Sequence, residues 1–176
     1  MSSPLLFPEV VNNFNVYSNG DKFEGVSGEV TLPTISAMTA TVSGAGVLGE
    51  YNAAVVGMTQ SITQEIPFRI INKEYFGLIA MGKQTDITLR SSIQNVDRSS
   101  GGAVSTSGMR LVFRGRPTAH NMGQLRQGDL MNASVTLELT YILIEMDGAT
   151  LLELDKLNSV YTVNGEDLLK NIRNQC

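Results

Sequence analysis

The sequence predicts a mainly β protein, an antiparallel β-sandwich or barrel with one or two short α-helices packed on it. Three observations indicate this fold. Apolar and polar residues alternate with a period of two in several runs, turns rich in Gly, Asn and Asp separate these runs, and only two short stretches have helical spacing. The 176 residues are expected to form a single domain, because a chain of this length buries about 70% of its unfolded surface in one core.

The first third of the chain is predicted to contain an arm, two strands and a loop. Residues 1–12 are expected to form an N-terminal arm, and a strand from Asn13 to Tyr17 ends at Asn19-Gly20, a pair typical of two-residue hairpin turns. A second strand is possible from Thr39 to Val42. The glycine-flanked stretch 43–58 has no clear period and is predicted to be an irregular loop.

A first short helix is predicted in the middle of the chain. Asn72 can cap its N-terminus, because an Asn side chain accepts a hydrogen bond from a free backbone N–H there, and Gly82 can end it. The side chains expected on its apolar side are Tyr75, Phe76, Ile79 and Ala80.

Two strands with one wet face are predicted on either side of the Ser99-Ser100-Gly101-Gly102 turn. In the first, Ile87, Leu89, Ser91 and Ile93 alternate with Asp86, Thr88, Arg90, Ser92 and Gln94. In the second, Met109, Leu111 and Phe113 alternate with Arg110, Val112 and Arg114.

The longest strand is predicted from Ser134 to Met146, before an Asp147-Gly148 turn. One face consists of Val135, Leu137, Leu139, Tyr141 and Leu143. The other face begins Thr136, Glu138, Thr140 and continues Ile142, Ile144, Met146. With a strict period of two, the second half of this strand needs a helix or a partner subunit to cover its second apolar face.

A second short helix is predicted for residues 165–174. Glu166 and Asp167 lie in its first turn and Lys170 and Arg173 lie further on, as the helix dipole favours. Its apolar stripe consists of Leu168, Leu169 and Ile172.

The composition excludes several functional classes. Thirteen Lys and Arg against seventeen Asp and Glu give a formal net charge of -4, whereas proteins that bind nucleic acid by phosphate neutralisation usually carry a basic excess. One cysteine, Cys176, and one histidine, His120, allow neither a disulfide framework nor a Cys/His zinc site in one chain. No metal or cofactor site is predicted. No membrane contact is expected either, because no segment approaches the roughly 18 apolar residues of a membrane span and the start lacks the basic region of a signal peptide.

Three features could carry catalysis, and each has a structural explanation that we prefer. Residues 44–49 match the G-x-G-x-x-G pattern of dinucleotide-binding loops, but no amphipathic helix follows, so these glycines are predicted to shape a loop. His120 is predicted to be a loop residue, since no G-x-S-x-G elbow accompanies it. Glu138 and Glu145 are expected on opposite faces of their strand because their spacing is odd. The chain is therefore not predicted to be an enzyme.

Arginines form one candidate cluster. Arg110, Arg114 and Arg116 are predicted to share a strand face, with Arg90 as a candidate neighbour. Such a face could bind phosphate, but the chain is acidic and lacks accompanying lysines and stacking aromatics. A solvated face or a salt-bridged subunit contact is the preferred interpretation.

The stretch 43–58 carries much apolar surface for a loop. Two interpretations remain open: the stretch folds down over its own core, or it stays exposed and marks an interface between subunits. The residues that would form this interface are Val47, Leu48, Tyr51, Val55, Val56 and Met58.

Several short motifs in a fixed order resemble those of a known family. They are Asn15-Val16-Tyr17-Ser18-Asn19-Gly20, Gly25-Val26, Val30-Thr31-Leu32-Pro33, Gly44-Ala45-Gly46, Phe113-Arg114-Gly115-Arg116 and the run YILIEMDGATLLELDKLNSVYTVNGEDLLKNIRN from Tyr141 to Asn174. In order and spacing these motifs resemble the major tail tube proteins of contractile-tailed bacteriophages. The resemblance spans residues 13–174, although Asn72 to Ser107 matches only in pattern.

The resemblance implies a structural protein of the virion tail that is assembled in the cytoplasm of the bacterial host. Its subunits would form hexameric rings, stacked into a hollow tube inside a contractile sheath, through which double-stranded DNA passes without specific binding. The implied partners are other copies of the chain, the tail sheath protein, and baseplate and tail-terminator proteins. Sheets of neighbouring subunits would join into one continuous β-barrel tube, which would also satisfy exposed strand edges.

A conduit for DNA needs a wall that does not hold phosphates, because a lumen lined with Lys and Arg would slow the duplex. Strands are predicted at Thr59–Glu65 and Asp86–Gln94, and their wet faces carry short polar side chains. We predict that these faces line the lumen through Thr59, Ser61, Thr63, Thr88 and Ser92, with Arg90 as the one member that does not suit this role.

Two other functions remain open at this stage. A phage-tail-like bacteriocin or injection particle uses the same kind of tube without DNA, and the sequence does not separate it from a phage tail. A β-sandwich carbohydrate-binding or adhesion module should expose Trp or Tyr for sugar stacking, and this chain has no Trp.

Overall fold

The computed structural model describes residues 6–176 and confirms a mainly β, antiparallel fold with two short helices. The strands begin and end as follows: β1 Leu6–Ser18, β2 Asp21–Phe23, β3 Ala37–Ser43, β4 Glu50–Thr59, β5 Thr63–Phe68, β6 Thr85–Asp97, β7 Ala103–Asn121, β8 Ala133–Met146, β9 Ala149–Asp155, β10 Val160–Val163 and β11 Glu166–Asp167. The α-helices are α1 Lys73–Leu78 and α2 Lys170–Gln175, and a 3-10 turn spans Arg98–Ser100.

Nine of these strands form one sheet that closes on itself. Its order is β11-β10-β9-β8-β7-β6-β1-β2, and β5 pairs with the first half of β8. The segment after β2 then reaches β5: Val26 bridges Phe68, Ser27 N donates to Pro67 O at 3.0 Å and Arg69 N donates to Gly25 O at 2.9 Å. The outcome is a barrel of β1, β2, β5, β6, β7 and β8, with β9–β11 attached to the second half of β8.

The predicted hairpin turns are present where the sequence places them. Asn19-Gly20 joins β1 to β2 and Asp147-Gly148 joins β8 to β9, each with positive φ at both residues. Positive φ at both central positions defines the turn that matches the twist of a hairpin. The Ser99–Gly102 sequence likewise connects β6 to β7.

The core fills the barrel, and α1 covers part of it. Phe68 lies at its centre, with its ring edge-to-face against Phe23 at 5.4 Å and against Tyr75 at 5.3 Å between centroids. Asn72 caps α1 as predicted, accepting from Tyr75 N at 3.0 Å. The buried side of this helix is Tyr75 and Leu78, whereas Phe76, which was expected to be buried, is 54% exposed.

A bulge in β8 changes which of its side chains face the core. Arg114 pairs with Tyr141 but Gly115 pairs with Leu139, so Thr140 is an extra residue in β8. Before the bulge Val135, Leu137 and Leu139 are buried, and after it Ile142 and Ile144 belong to the core instead of Tyr141 and Leu143. The prediction of a strict alternation along this strand, with a second apolar face to cover, is therefore wrong.

Four other expectations differ from the structure. Residues 6–12 of the expected arm are the first part of β1 and pair with β6, and residues 1–5 lie outside the described part. The stretch 43–58 is a turn followed by β4, not an irregular loop. Residues 59–65 are not one strand, because Thr59 ends β4 and Thr63 begins β5. In the 165–174 segment, Glu166 and Asp167 form β11 and the helix begins only at Lys170.

Candidate assembly surfaces

The hairpin of β3 and β4 forms a two-stranded sheet of its own beside the barrel. Its strands pair only with each other, from Ser43 with Glu50 to Ala37 with Thr59. Within residues 6–176, neither of its outer edges pairs with another strand. An isolated two-stranded sheet is only marginally stable in water. The backbone N–H and C=O groups along its two outer edges are also free to pair with a strand of another subunit.

The turn of this hairpin is the G-x-G-x-x-G sequence. Gly44, Gly46 and Gly49 all have positive φ, a conformation that glycine adopts without steric cost. The following residues form β4 and not the helix that a dinucleotide-binding loop requires. The prediction that these glycines shape a connection agrees with this geometry.

All six apolar residues predicted for a subunit interface are exposed in the single chain. Leu48 at the turn is 106% exposed and Tyr51 is 56% exposed. The others are also exposed: Val47, Val55, Val56 and Met58. The alternative interpretation, in which this stretch folds down over its own core, is therefore wrong.

The C-terminal segment holds the base of the hairpin. Gly57 has a φ of +74°, and a Cβ at this position would overlap the side chain of Leu169. A groove of about 460 Å³ lies between the hairpin, β9–β10 and α2, and its apolar lining includes Met38, Val56, Met58, Leu154, Val160 and Ile172. Contact at Gly57 thus fixes where the hairpin leaves the barrel.

An ion pair secures the C-terminal segment itself. The Arg173 guanidinium pairs with the Asp167 carboxylate and donates to Ser159 O at 2.8 Å. The hydrogen bond from Arg173 holds the pKa of Asp167 below its usual value. Leu169, which lies between Asp167 and Arg173 in the chain, is buried against the hairpin.

The first part of β1 forms a second surface, which the sequence analysis missed. β2 pairs with β1 only over Val16–Ser18, so in the described part of the chain one edge of residues 6–15 has no strand beside it. Four apolar residues on this part of β1 are exposed: Leu6, Phe7, Val10 and Val11. Apolar residues near the start of the chain were the signal, but residues 1–12 were predicted as an arm and not as a strand.

The predicted lumen residues fall into two groups. Ser61, Thr63, Thr88 and Ser92 lie on the outer face of the barrel wall, where their neighbours Ile62, Gln64, Ile87 and Leu89 point inward and are buried. Thr59 belongs to the β3–β4 hairpin and is separate from them. Glu138 holds the β5 end of this face by accepting from Ser61 Oγ at 2.6 Å and from Ile62 N at 3.3 Å.

Arginines occupy the same outer face. Arg110, Arg114 and Arg116 share it as predicted, because β7 keeps a regular alternation opposite the bulge in β8, and Arg90 on β6 lies directly opposite Arg110. Arg110 pairs with Glu145 at 3.2 Å and Arg114 pairs with Asp86 at 3.1 Å. Both ion pairs lie within the chain and their side chains are partly exposed, which agrees with the solvated face among the preferred interpretations. The salt-bridged subunit contact stays a prediction.

Arg114 is the centre of a polar network on β8 and β9. Its guanidinium lies 4.6 Å above the ring of Tyr141, whose hydroxyl donates to Glu153 Oε1 at 3.1 Å. Burial and the Glu153 carboxylate raise the pKa of Tyr141. This tyrosine therefore stays neutral and serves as a stacking and hydrogen-bonding group.

No catalytic arrangement emerges among the described residues. His120 is exposed near the end of β7, in a strand and not in the predicted loop. The bulge brings Glu138 and Glu145 to the same face, which corrects our prediction. Seven residues of strand still separate them by roughly 20 Å, more than twice the roughly 9.5 Å of the widest glycosidase carboxylate pairs.

Residues 6–176 contain neither a cluster of metal-ligating side chains nor a helix that could span a membrane. There, His, Cys, Asp and Glu side chains form no group of three or more that could hold a metal ion. No helix in that part of the chain has the length and apolar character needed to cross a membrane.

Comparison with known proteins identifies relatives along nearly the whole chain. The family model described as "Phage tail tube protein FII" matches residues 8–176. The tail tube protein of Escherichia phage P2 is 27% identical over 175 residues, which cover 96% of this chain and 97% of that protein. The major tail tube protein of Serratia phage KSP20 is 25% identical over 172 residues, covering 93% and 92%.

Two solved structures share the fold. Both belong to the PVC extracellular contractile injection system in its extended state. Its sheath/tube terminator structure matches with a TM-score of 0.55 at 17% identity, covering 79% of this chain and 97% of that chain. Its sheath-tube complex matches with a TM-score of 0.53 at 17% identity, covering 79% and 92%.

Proposed function

The chain belongs to the phage tail tube protein FII family, and on that premise we propose that it forms hexameric rings that stack into the DNA conduit of a contractile tail. A structural role in the tail tube follows from the family and from the named phage relatives. We propose in addition six subunits in each ring, two contact surfaces between subunits, a lumen face and a set of partner proteins. The protein would be assembled in the host cytoplasm and would have no enzymatic activity.

The main support for the proposal is the surface of the β3–β4 hairpin. The hairpin combines an exposed apolar surface with two strand edges that have no partner in the described chain. A neighbouring subunit can satisfy both at once, by burying Tyr51 and Val55 and by pairing with the free edges. The interface residues are then the predicted set: Val47, Leu48, Tyr51, Val55, Val56 and Met58.

The exposed edge of β1 supports a second contact around the ring. Head-to-tail contacts close into a ring when their rotation divides a full turn, and such contacts need two different complementary surfaces on each subunit. The hairpin and the first part of β1 are two such surfaces. In a closed ring, the barrel walls of six subunits would form one continuous tube.

The outer face of β5–β8 is our candidate for the wall of the lumen. Ser61, Thr63, Thr88 and Ser92 are short polar side chains on this face, which also carries the four arginines described above. Thr59 lies with the hairpin and is better placed for a subunit contact. Double-stranded DNA would pass along this wall without a specific binding site.

The proposed partners are a tail sheath protein outside the tube, and baseplate and tail-terminator proteins at its ends. The solved structures of similar fold come from assemblies that contain a sheath and a tube, and at 17% identity they support only the fold. The phage relatives match at higher identity over more than nine-tenths of the chain. We therefore prefer a DNA-carrying phage tail to a bacteriocin or injection particle.

Polymerisation of a hairpin variant tests the proposal. Tyr51→Asp together with Val55→Asp puts two charges on the exposed apolar surface and leaves the barrel core unchanged. We expect folded chains, by circular dichroism, that form no rings or tubes in negative-stain electron microscopy under conditions in which the native chain forms them.

A conservative double variant is the matched control. Tyr51→Phe with Val55→Ile keeps the surface apolar and should assemble like the native chain. Normal tubes from the aspartate variant would disprove the role of the hairpin in assembly.

A further inference from the structure

Four arginines lie close together on the face that we propose for the lumen. Arg90 and Arg110 are direct cross-strand neighbours, and Arg114 and Arg116 follow on the same side of β7. Like charges directly opposite each other destabilise a sheet, and an arginine-rich surface attracts the phosphates of DNA. A conduit with this face would retain its cargo unless something compensates for the arginines.

Carboxylates contact two of these arginines directly. Glu145 lies opposite Arg110 on β8 and pairs with it at 3.2 Å, and Asp86 lies opposite Arg114 on β6 and pairs with it at 3.1 Å. Both pairs are cross-strand, so the register of the sheet positions them. Each carboxylate contacts the Nε of its arginine and places a negative charge beside the guanidinium, where it would repel a phosphate.

The arginines have a structural reason to be present on this wall. Val112 lies on the outer face between Arg110 and Arg114, and yet it is only 6% exposed. Long arginine side chains cover apolar surface with their methylene groups while the charged end stays in water. Shorter polar residues would leave Val112 open to solvent.

We infer that Asp86 and Glu145 mask a latent phosphate-binding face, so that the arginines can cover the barrel wall without holding DNA. The inference that this face meets DNA rests on the lumen assignment proposed above. The masking itself is a property of the single chain. It assigns a specific function to Asp86, which the sequence placed only on a wet strand face, and to Glu145, which the sequence suggested only as a catalytic carboxylate.

The test measures binding of a DNA duplex of about 20 base pairs by fluorescence anisotropy at about 50 mM salt. Asp86→Asn with Glu145→Gln keeps the size of both side chains and removes both charges. We expect its affinity for the duplex to exceed that of the native chain at least about tenfold. The plot of log affinity against log salt should become steeper by about 2, because two added phosphate contacts each contribute about 0.9.

Two matched variants separate masking from net charge. Glu74→Gln with Glu166→Gln also removes two negative charges, from -4 to -2, but on α1 and β11. Adding Arg110→Gln and Arg114→Gln to the Asp86→Asn, Glu145→Gln variant, which we call the unmasked variant, removes the arginines themselves. We expect both variants to bind the duplex no more tightly than the native chain does.

Two results would overturn the masking. One is an unmasked variant that gains no more affinity than the Glu74→Gln, Glu166→Gln control, and the other is a gain that survives the removal of Arg110 and Arg114. Exposed ion pairs contribute little to stability, so the variants should fold, which circular dichroism would verify. Because the free chain is used, these results do not depend on where the face lies in a tube.

Discussion

A Cβ placed on Gly115 would overlap the backbone carbonyl oxygen of Glu138 on the neighbouring strand. Gly115 lies at the point where β8 contains its extra residue, Thr140. The absence of a side chain at Gly115 lets the two backbones approach there, and this approach accompanies the bulge. The bulge in turn sends Ile142 and Ile144 into the core and Tyr141 to the outer face.

Gly115→Ala should therefore destabilise the chain by at least about 2 kcal/mol, the range expected for overpacking against rigid surroundings. Urea unfolding followed by circular dichroism measures this difference. Gly108→Ala on the same strand is the control, since a Cβ there has no atom within 4 Å, and its effect should stay within about 0.5 kcal/mol. Equal stability of the two variants would contradict our account of the bulge.

Asn72 connects α1 to the loop after β2. Its Oδ1 accepts from Tyr75 N at 3.0 Å and its Nδ2 donates to Glu24 O at 3.0 Å. Asn72→Ala removes both hydrogen bonds and should lower the free energy of unfolding by about 1–2 kcal/mol.

Asn72→Asp is the informative comparison, because it retains the cap acceptor and loses only the donor to Glu24. Its loss of stability, measured by the same urea unfolding, should be smaller than that of Asn72→Ala. If Asn72→Ala left the free energy of unfolding unchanged, the cap would have no role in stability.

Asp155 should make the β9–β10 hairpin sensitive to acid. Burial acts to raise the pKa of Asp155, but hydrogen bonds from Asn158 and from the backbone of Leu157 outweigh it and hold the pKa below its ordinary value of 3.8. A folded-state pKa below the unfolded one adds stability above pH 3.8, and this stability disappears as the pH falls through the folded value.

Asp155→Asn keeps the acceptor oxygen but removes the charge. The native chain should have the higher Tm near pH 6, and the difference should shrink as the pH approaches about 3. Thermal unfolding at a series of pH values measures it. A difference in Tm that does not change with pH would show that the charge of Asp155 plays no part.

Ser92 tests the proposed lumen. In a chain with Cys176→Ser, which removes the one native cysteine, Ser92→Cys should react with a small maleimide both before and after tube assembly. A maleimide on a long polymer should label the free subunit readily and the assembled tube slowly, because it can reach the lumen only from the tube ends. Gel electrophoresis separates the labelled chains.

Two outcomes would remove this lumen assignment. Fast labelling of tubes by the polymer would put Ser92 outside, and protection from the small maleimide would put it in a contact between subunits. Neither outcome bears on the masking of the arginines, because the duplex measurements test that masking on the free chain. Conversely, protection from the polymer with no gain in DNA affinity would support the lumen and exclude the masking.

Much of the fold could be predicted because it depends on local chemistry. Asn19-Gly20 and Asp147-Gly148 specify tight turns through their positive φ, and Asn72 specifies a helix start through one side-chain hydrogen bond. The six apolar residues from Val47 to Met58 were recognised as a set, and the single chain leaves all of them exposed.

The rest depended on contacts between residues far apart in sequence. β4 was predicted as a loop because its pairing with β3 leaves both faces largely exposed, and such a strand shows no alternation of apolar and polar residues. Glu166 and Asp167 satisfy the rules for a first helical turn, yet they form β11, in which Glu166 pairs with Val163 of β10.

Short-range backbone preferences and the order of the motifs were enough to predict the class of fold, the main hairpin turns, the first helix and the family to which this chain belongs. The face of each residue in the second half of β8 and the partners of Arg110 and Arg114 depend instead on the folded barrel. A bulge shifts every later side chain to the other face, and its place depends on Gly115, a residue on a different strand that lies more than twenty positions earlier in the chain.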